Sequence, residues 1–338
     1  MTEKMPIASS QPPEIESPPV LSPEPQALPG RFAKLVGSLF LGPRGLRALW
    51  RLVIFLSIFI GLIAGLSLLA HSTKRASPPQ SSLEPRSLLN NEVVAFLVVL
   101  FASWVMSRIE HRKIADYGLP FRRALCSQFW LGLVFGFGFI SALMLSMRLA
   151  GVYRFGVISL HGLEIWKYGA MWAAAFLFVG FFEEFFFRGY PLFTLTTGMT
   201  FWPSAILLSA FFGFIHHSNP GESPVGALEA GATGLLYCFI LRRTGNLWMP
   251  IGIHAAWDWG ETYFYGVPNS GLIAKGHLFN PTFAGPAWLT GGSVGPEGSW
   301  LCIALLAILW IIFPLWLREK KYPNPDATRL PRGPLRLE

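Results

Sequence analysis

The sequence predicts an all-α fold, a polytopic transmembrane helical bundle of about eight spans. Three observations predict it. Of 338 residues, 52% are hydrophobic and only 14% charged, with mean hydropathy +0.44; a soluble domain carries about 25% charged residues. The apolar residues form runs near the ~20 residues that cross a bilayer. The charges fall mostly between these runs. A soluble enzyme is excluded, and so is a wholly disordered chain. The net charge of +8 is explained by membrane topology, so no nucleic-acid partner is expected. Cys126, Cys238 and Cys302 all lie in apolar runs, with no disulfide framework and no CxxC.

Residues 1–30 hold eight prolines and four glutamates and read as a disordered cytoplasmic tail, not a cleaved signal peptide. Residues 31–50, with Arg31, Lys34, Arg44 and Arg47 among Phe, Leu and Trp, suit a juxtamembrane amphipathic segment. Spans are expected at roughly 52–70, 93–107, 126–147, 170–195, 201–218, 225–241, 247–265 and 299–317. The division is 31–124 for the juxtamembrane segment and first two spans, and 125–265 for a catalytic core. An extracytoplasmic Gly/Pro-rich loop at 266–298 and a last span with a basic tail at 299–338 complete it. With both termini cytoplasmic, 20 of the 27 Lys/Arg fall inside, leaving Lys74, Arg75, Arg86, Arg148, Arg154, Lys167 and Lys275 outside. The expectation is a multi-pass protein of the cell membrane. The Arg112–Arg123 loop is expected to touch anionic lipid.

A charge inside the bilayer costs at least about 2.5–3.5 kcal/mol, so the ionisable residues within apolar runs ask for a reason. The fourth span contains Phe181-Phe182-Glu183-Glu184-Phe185-Phe186-Phe187-Arg188. The fifth ends Phe212-Gly213-Phe214-Ile215-His216-His217, the sixth holds Glu229, and the seventh reads His254-Ala255-Ala256-Trp257-Asp258 with Glu261 beyond. Glu184 and Arg188 are i,i+4 and can pair. Glu183 projects about 100° away and is free for another neighbour. His254 and Asp258 share a face. A turn near Thr197–Thr200 puts Glu183 and His216 each some 22–26 Å from it at about 1.5 Å per residue. Their levels match that of His254 only if this hairpin extends about 10 Å further, which places the cluster in the cytoplasmic half of the bilayer. A carboxylate with imidazoles in a low-dielectric site suits water activation, and imidazole can ligate metal or donate to an oxyanion.

At these residues the chain resembles the CPBP intramembrane metalloproteases, also called the CAAX prenyl protease 2 or type II CAAX endopeptidase family. The family's EExxxR, FxxxH and HxxxN/D motifs appear in order as Glu183–Arg188, Phe212–His216 and His254–Asp258; Arg188-Gly189-Tyr190 and Asn246–Ile251 match their surroundings. The resemblance covers about residues 125–265. It implies catalytic roles for Glu183, Glu184, Arg188, His216, His254 and Asp258. Glu183 would be the base that activates water, and Arg188 would hold Glu184. His216, His254 and Asp258, with Glu183, would be ligands if a divalent metal such as Zn2+ is used; a metal-free glutamate mechanism is equally compatible. Asp258 stands where Asn is common, and an ionised Asp cannot donate, which favours a ligand role over an oxyanion role.

The expected function is intramembrane hydrolysis of a peptide bond near the membrane surface, with CAAX-type C-terminal processing as one form and membrane lipids and a lipidated peptide or protein as partners. A proton-coupled transporter and a non-catalytic scaffold or immunity-type protein on the same fold stay open. Glu229 and Glu261 read as accessory or interfacial. Phe212, Gly226, Gly231 and Gly234 read as packing residues, and His217 as facing elsewhere. Asn269, His277 and Glu297 carry no specific signal.

Overall fold

The computed structural model describes residues 2, 39–42, 45–73, 83–219 and 221–323. Most of the N-terminal tail, Arg31, Lys34, Arg44, Lys74, Arg75 and the chain from 324 onward lie outside the described residues. The chain divides into two units, Met1–Phe40 and Leu41–Glu338. In the first, Leu39 and Phe40 are helical. The second holds every helix named below.

A short β pair, β1 (Leu41–Gly42) and β2 (Gly45–Leu46), precedes α1 (Ala48–Thr73). Then come α2 (Pro85–Ile109), α3 (Ser127–Leu149), β3 (Tyr153–Ile158), α4 (Leu163–Arg188), α5 (Tyr190–Met199), α6 (Phe201–His216) and α7 (Pro224–Thr244). The chain continues with α8 (Trp248–Trp259), a π turn (Gly260–Phe264), β4 (Phe279–Phe283), the one-turn α9 (Ala287–Thr290) and α10 (Trp300–Trp316). Five helical stretches, Ala48–Leu69, Pro85–Ile109, Ser127–Leu149, Leu163–Met199 and Pro224–Thr244, are long and apolar enough to cross a bilayer; Phe201–His216 and Trp300–Trp316 are shorter apolar helices. The protein is a multi-pass helical membrane protein. Its outer faces carry exposed Ile60, Leu68, Val134 and Ile312, as lipid contact requires.

Two local expectations change. The second span begins at Pro85, not 93, because a proline at N1 loses no helical hydrogen bond and starts the helix early. The fourth span is two helices: Gly189 leaves the helical region (φ −84°, ψ −117°), and Pro191 then cannot donate back across the break. The 266–298 loop contains β4 and the one-turn α9. Its β4 pairs antiparallel with β3, whose partner segment lies over 100 residues earlier. The turn near Thr200 is where the spacing places it, with Thr200 at φ +70° between α5 and α6. The ten residues of α5 span about 15 Å along the axis of that helix.

Helix association in lipid relies on close contact at small residues. The α3–α8 contact shows this. A Cβ on Gly136 would overlap the Ile253 carbonyl, and one on Gly252 the Phe129 carbonyl. This approach sets the height and rotation of α8, which carries His254. Against α4, Phe96 of α2 stacks on Phe181 with ring centroids 5.1 Å apart. One turn earlier on the same face stands Glu92. At one end of the unit the segments around Gly118, Arg242 and Lys321 meet: the Leu247 N–H donates to Gly118 O (2.8 Å) and the Lys321 N–H to Arg242 O (2.8 Å). The β3–β4 pair occupies the other end.

Candidate active site

Glu183 and Glu184 lie in the last turn and a half of α4, and the 100° between neighbours sends them to different partners. Glu184 is fully buried, and its Oε1 lies 3.4 Å from Nη1 of Arg188, four residues on. Arg188 is itself 1% exposed; its guanidinium lies 4.4 Å from the centroid of the Phe212 ring. Gly234 of α7 makes room for it, since a Cβ there would overlap Nη2. The packing role expected for Gly234 and Phe212 is thus directed at one guanidinium.

The same Glu184 Oε1 lies 2.9 Å from Nδ1 of His254 on α8. A carboxylate paired with arginine accepts, so Nδ1 of His254 carries its hydrogen. The other nitrogen, Nε2, is 3.7 Å from Oε2 of Glu183 and 3.5 Å from Oδ2 of Asp258. A bare nitrogen lone pair facing two carboxylate oxygens would be repulsive, so a proton or a cation must lie among these three groups. His254 and Asp258 offer donors of the kinds that bind divalent metals, and Oε2 of Glu183 has no hydrogen-bond partner.

His216 ends α6. Its Nδ1 donates to the Phe212 carbonyl oxygen four residues back (2.9 Å), which leaves Nε2 of the neutral ring as an acceptor. His216 lines the same cavity as Glu183, His254 and Asp258, but no hydrogen bond or ion pair joins it to them among the described residues. His217 is exposed.

The cavity has a volume of about 350 Å3. Its walls reach beyond 125–265. Glu92 of α2 lines it, within electrostatic reach of Glu183 and His254, with its Oε2 buried and unpartnered. Sequence reasoning missed Glu92 because it stands one residue before the apolar run that marked the second span. The signal was present in Leu88-x-x-x-Glu92-x-x-x-Phe96, one helical face with a carboxylate in it. Asn269, Ser270 and Glu297 also line the cavity, although the loop carried no signal. Glu229 lines it too, accepting from Thr233 Oγ1 at 2.6 Å. His277 bonds the Phe279 carbonyl in the β3–β4 region (2.6 Å).

No curated protein and no solved structure matches the chain. Residues 165–260, which contain all three motifs and lie within the 125–265 core, match one family model. That model is described as "Type II CAAX prenyl endopeptidase Rce1-like", and the match spans this helical core.

Proposed function

We propose that this cavity hydrolyses a peptide bond with water activated by Glu183, on the C-terminal segment of a lipid-modified substrate. The observation that carries the reading is the division of labour between adjacent carboxylates. Glu184 is consumed by Arg188 and His254, while Glu183 keeps an unpartnered oxygen at the cavity wall.

In this reading a water at Oε2 of Glu183 gives up a proton to it as the water oxygen adds to the scissile carbonyl carbon. His254, oriented by Glu184, stabilises the developing oxyanion through Nε2 once that nitrogen is protonated. As the carbon–nitrogen bond breaks, the proton on Glu183 passes to the leaving amine. His216, with Nε2 as acceptor, orients the water or the amine. Asp258 accepts from His254 and donates nothing, in keeping with the Asp-for-Asn departure. A divalent ion bound by His254 and Asp258 would polarise the carbonyl as a Lewis acid.

The apolar walls at Leu88, Phe139, Phe176, Val179 and Leu309 suit an acyl or prenyl chain beside the acidic centre. The end that gathers Arg108, Arg112, Lys113, Arg242, Arg243 and Lys321 faces the cytoplasm in this proposal, and the cell membrane is its location.

The test uses the full chain in lipid nanodiscs with a farnesylated peptide ending in a CAAX sequence, reading release of the terminal tripeptide. Glu183→Gln is expected to lower the rate by about 10²–10⁴-fold with an unchanged unfolding midpoint. Undiminished cleavage by Glu183→Gln overturns the assignment.

A further inference from the structure

We propose that Asp258, Glu261 and Glu297 form a binding site for a hard divalent cation, with Ca2+ preferred. This site adjoins the Glu183–His254 pair and shares Asp258 with it, but Glu261 and Glu297 have no part in the hydrolytic reading, so the two are tested separately.

One carboxylate oxygen from each of the three residues lies within 4.8 Å of the others. They come from distant parts of the chain: Asp258 from the last turn of α8, Glu261 from the π turn that follows, and Glu297 from the 3-10 turn Pro296–Gly298. Asp258 and Glu261 are i,i+3 and so share a helix face, with the π turn beginning between them. Such single-turn widenings occur frequently at functional sites.

Glu261 is fully buried, and its Oε1 has no hydrogen-bond partner. Its other oxygen accepts from Trp257 Nε1 at 3.2 Å, and the same N–H donates to Glu297 Oε1 at 3.1 Å. The indole therefore turns both carboxylates to a common point. The far oxygen of Glu297 is held by Ser270 through its N–H (3.1 Å) and Oγ (2.8 Å).

Charge balance then decides what the site takes. Among the described residues no Lys or Arg pairs with any of the three, and Asp258 meets the imidazole of His254 and the side chain of Asn269. Three carboxylates with an indole, a serine and an asparagine as their remaining donors form an anionic, largely buried cup that needs positive charge. A buried carboxylate oxygen left unpaired is costly, and a cation satisfies it.

The donors are all oxygen, which selects hard cations over Zn2+ or Cu2+. At Ca–O distances of 2.3–2.6 Å, oxygens on opposite sides of Ca2+ stand about 4.6–5.2 Å apart, whereas Mg2+ draws them in to about 4.0–4.2 Å. Separations within 4.8 Å lie inside the Ca2+ span, and an irregular cup of three carboxylates suits the flexible coordination of Ca2+ better than the strict octahedron of Mg2+. Asp258, Glu297, Asn269 and Ser270 line the cavity, which supplies an entry path and room for water ligands. A bound ion would tie the 296–298 turn to the end of α8.

The experiment uses the full chain, purified in detergent and stripped with chelator. Tb3+, a luminescent Ca2+ substitute, is titrated with excitation of tryptophan, because Trp257 touches two of the three ligands. Saturable emission is expected, displaced by Ca2+ at lower concentration than by Mg2+, together with a Ca2+-dependent rise in the unfolding midpoint. Glu297→Gln and Glu261→Gln should each weaken binding by about tenfold or more. His216→Ala should leave it unchanged. Should Glu261→Gln fail to fold, Glu297→Gln, in a half-buried surface turn, still decides the matter. Absence of saturable binding in the wild-type chain overturns the proposal. So does binding that survives Glu297→Gln or is lost in His216→Ala.

Discussion

Oε1 of Glu184 lies 2.9 Å from Nδ1 of His254, and this contact joins the end of α4 to the middle of α8. It makes the inner carboxylate of the adjacent pair a structural group and leaves the outer one at the cavity. The same oxygen faces Arg188, so one buried anion holds two helices and two cationic or donor groups in register.

Removing that anion strands a buried guanidinium. Glu184→Ala is expected to cost about 3–5 kcal/mol, the range found when one partner of a buried ion pair is deleted. Thermal unfolding in nanodiscs should show a clearly lower midpoint. Arg188→Lys should recover little of the function, since lysine lacks the planar group that lies on Phe212. A midpoint for Glu184→Ala within a degree of wild type would count against the pairing role.

Glu92 sits in a face that otherwise buries Phe96 and Val99, with one oxygen unpartnered. Such a group is a stability cost unless it serves the cavity. Glu92→Leu is expected to hold or raise the unfolding midpoint while lowering peptide cleavage by at least about tenfold. Normal cleavage by a normally folded Glu92→Leu protein would remove Glu92 from the site.

In the connection between α6 and α7, burial pushes the Glu222 carboxyl above its ordinary range. Glu297 adds to the shift, and the Ser223 N–H, His216 and His217 oppose it. A carboxyl raised in the folded state favours folding fully below its unfolded value, and that contribution is lost as pH rises through the raised value. Glu222→Gln should therefore match wild type near pH 4 and melt about 1–2 °C higher at pH 8. A difference that does not change with pH refutes this.

Composition and periodicity read alone reach a multi-pass helical bundle, and they reach the three motif helices because charge in an apolar run is expensive wherever it occurs. The i,i+4 spacing of Glu184 with Arg188 and of His254 with Asp258 is a property of any helix, so both contacts are legible without coordinates. The turn at Thr200 is legible for the same reason: local chemistry ends the helix there.

The rest depends on which helices become neighbours, and that follows from packing among distant segments. Gly136 and Gly252 bring α3 against α8, and Phe96 on Phe181 seats α2 on α4; neither pairing leaves a periodic trace. Along the chain, therefore, Glu297 is an ordinary acidic residue, Glu261 reads only as accessory or interfacial, and Glu92 is one carboxylate on an apolar helix face. They become walls of the cavity, or of the anionic cup beside it, only when four remote segments meet in space. Linear spacing reports on one helix at a time, whereas a site is a meeting of several, and only the folded bundle shows where they meet.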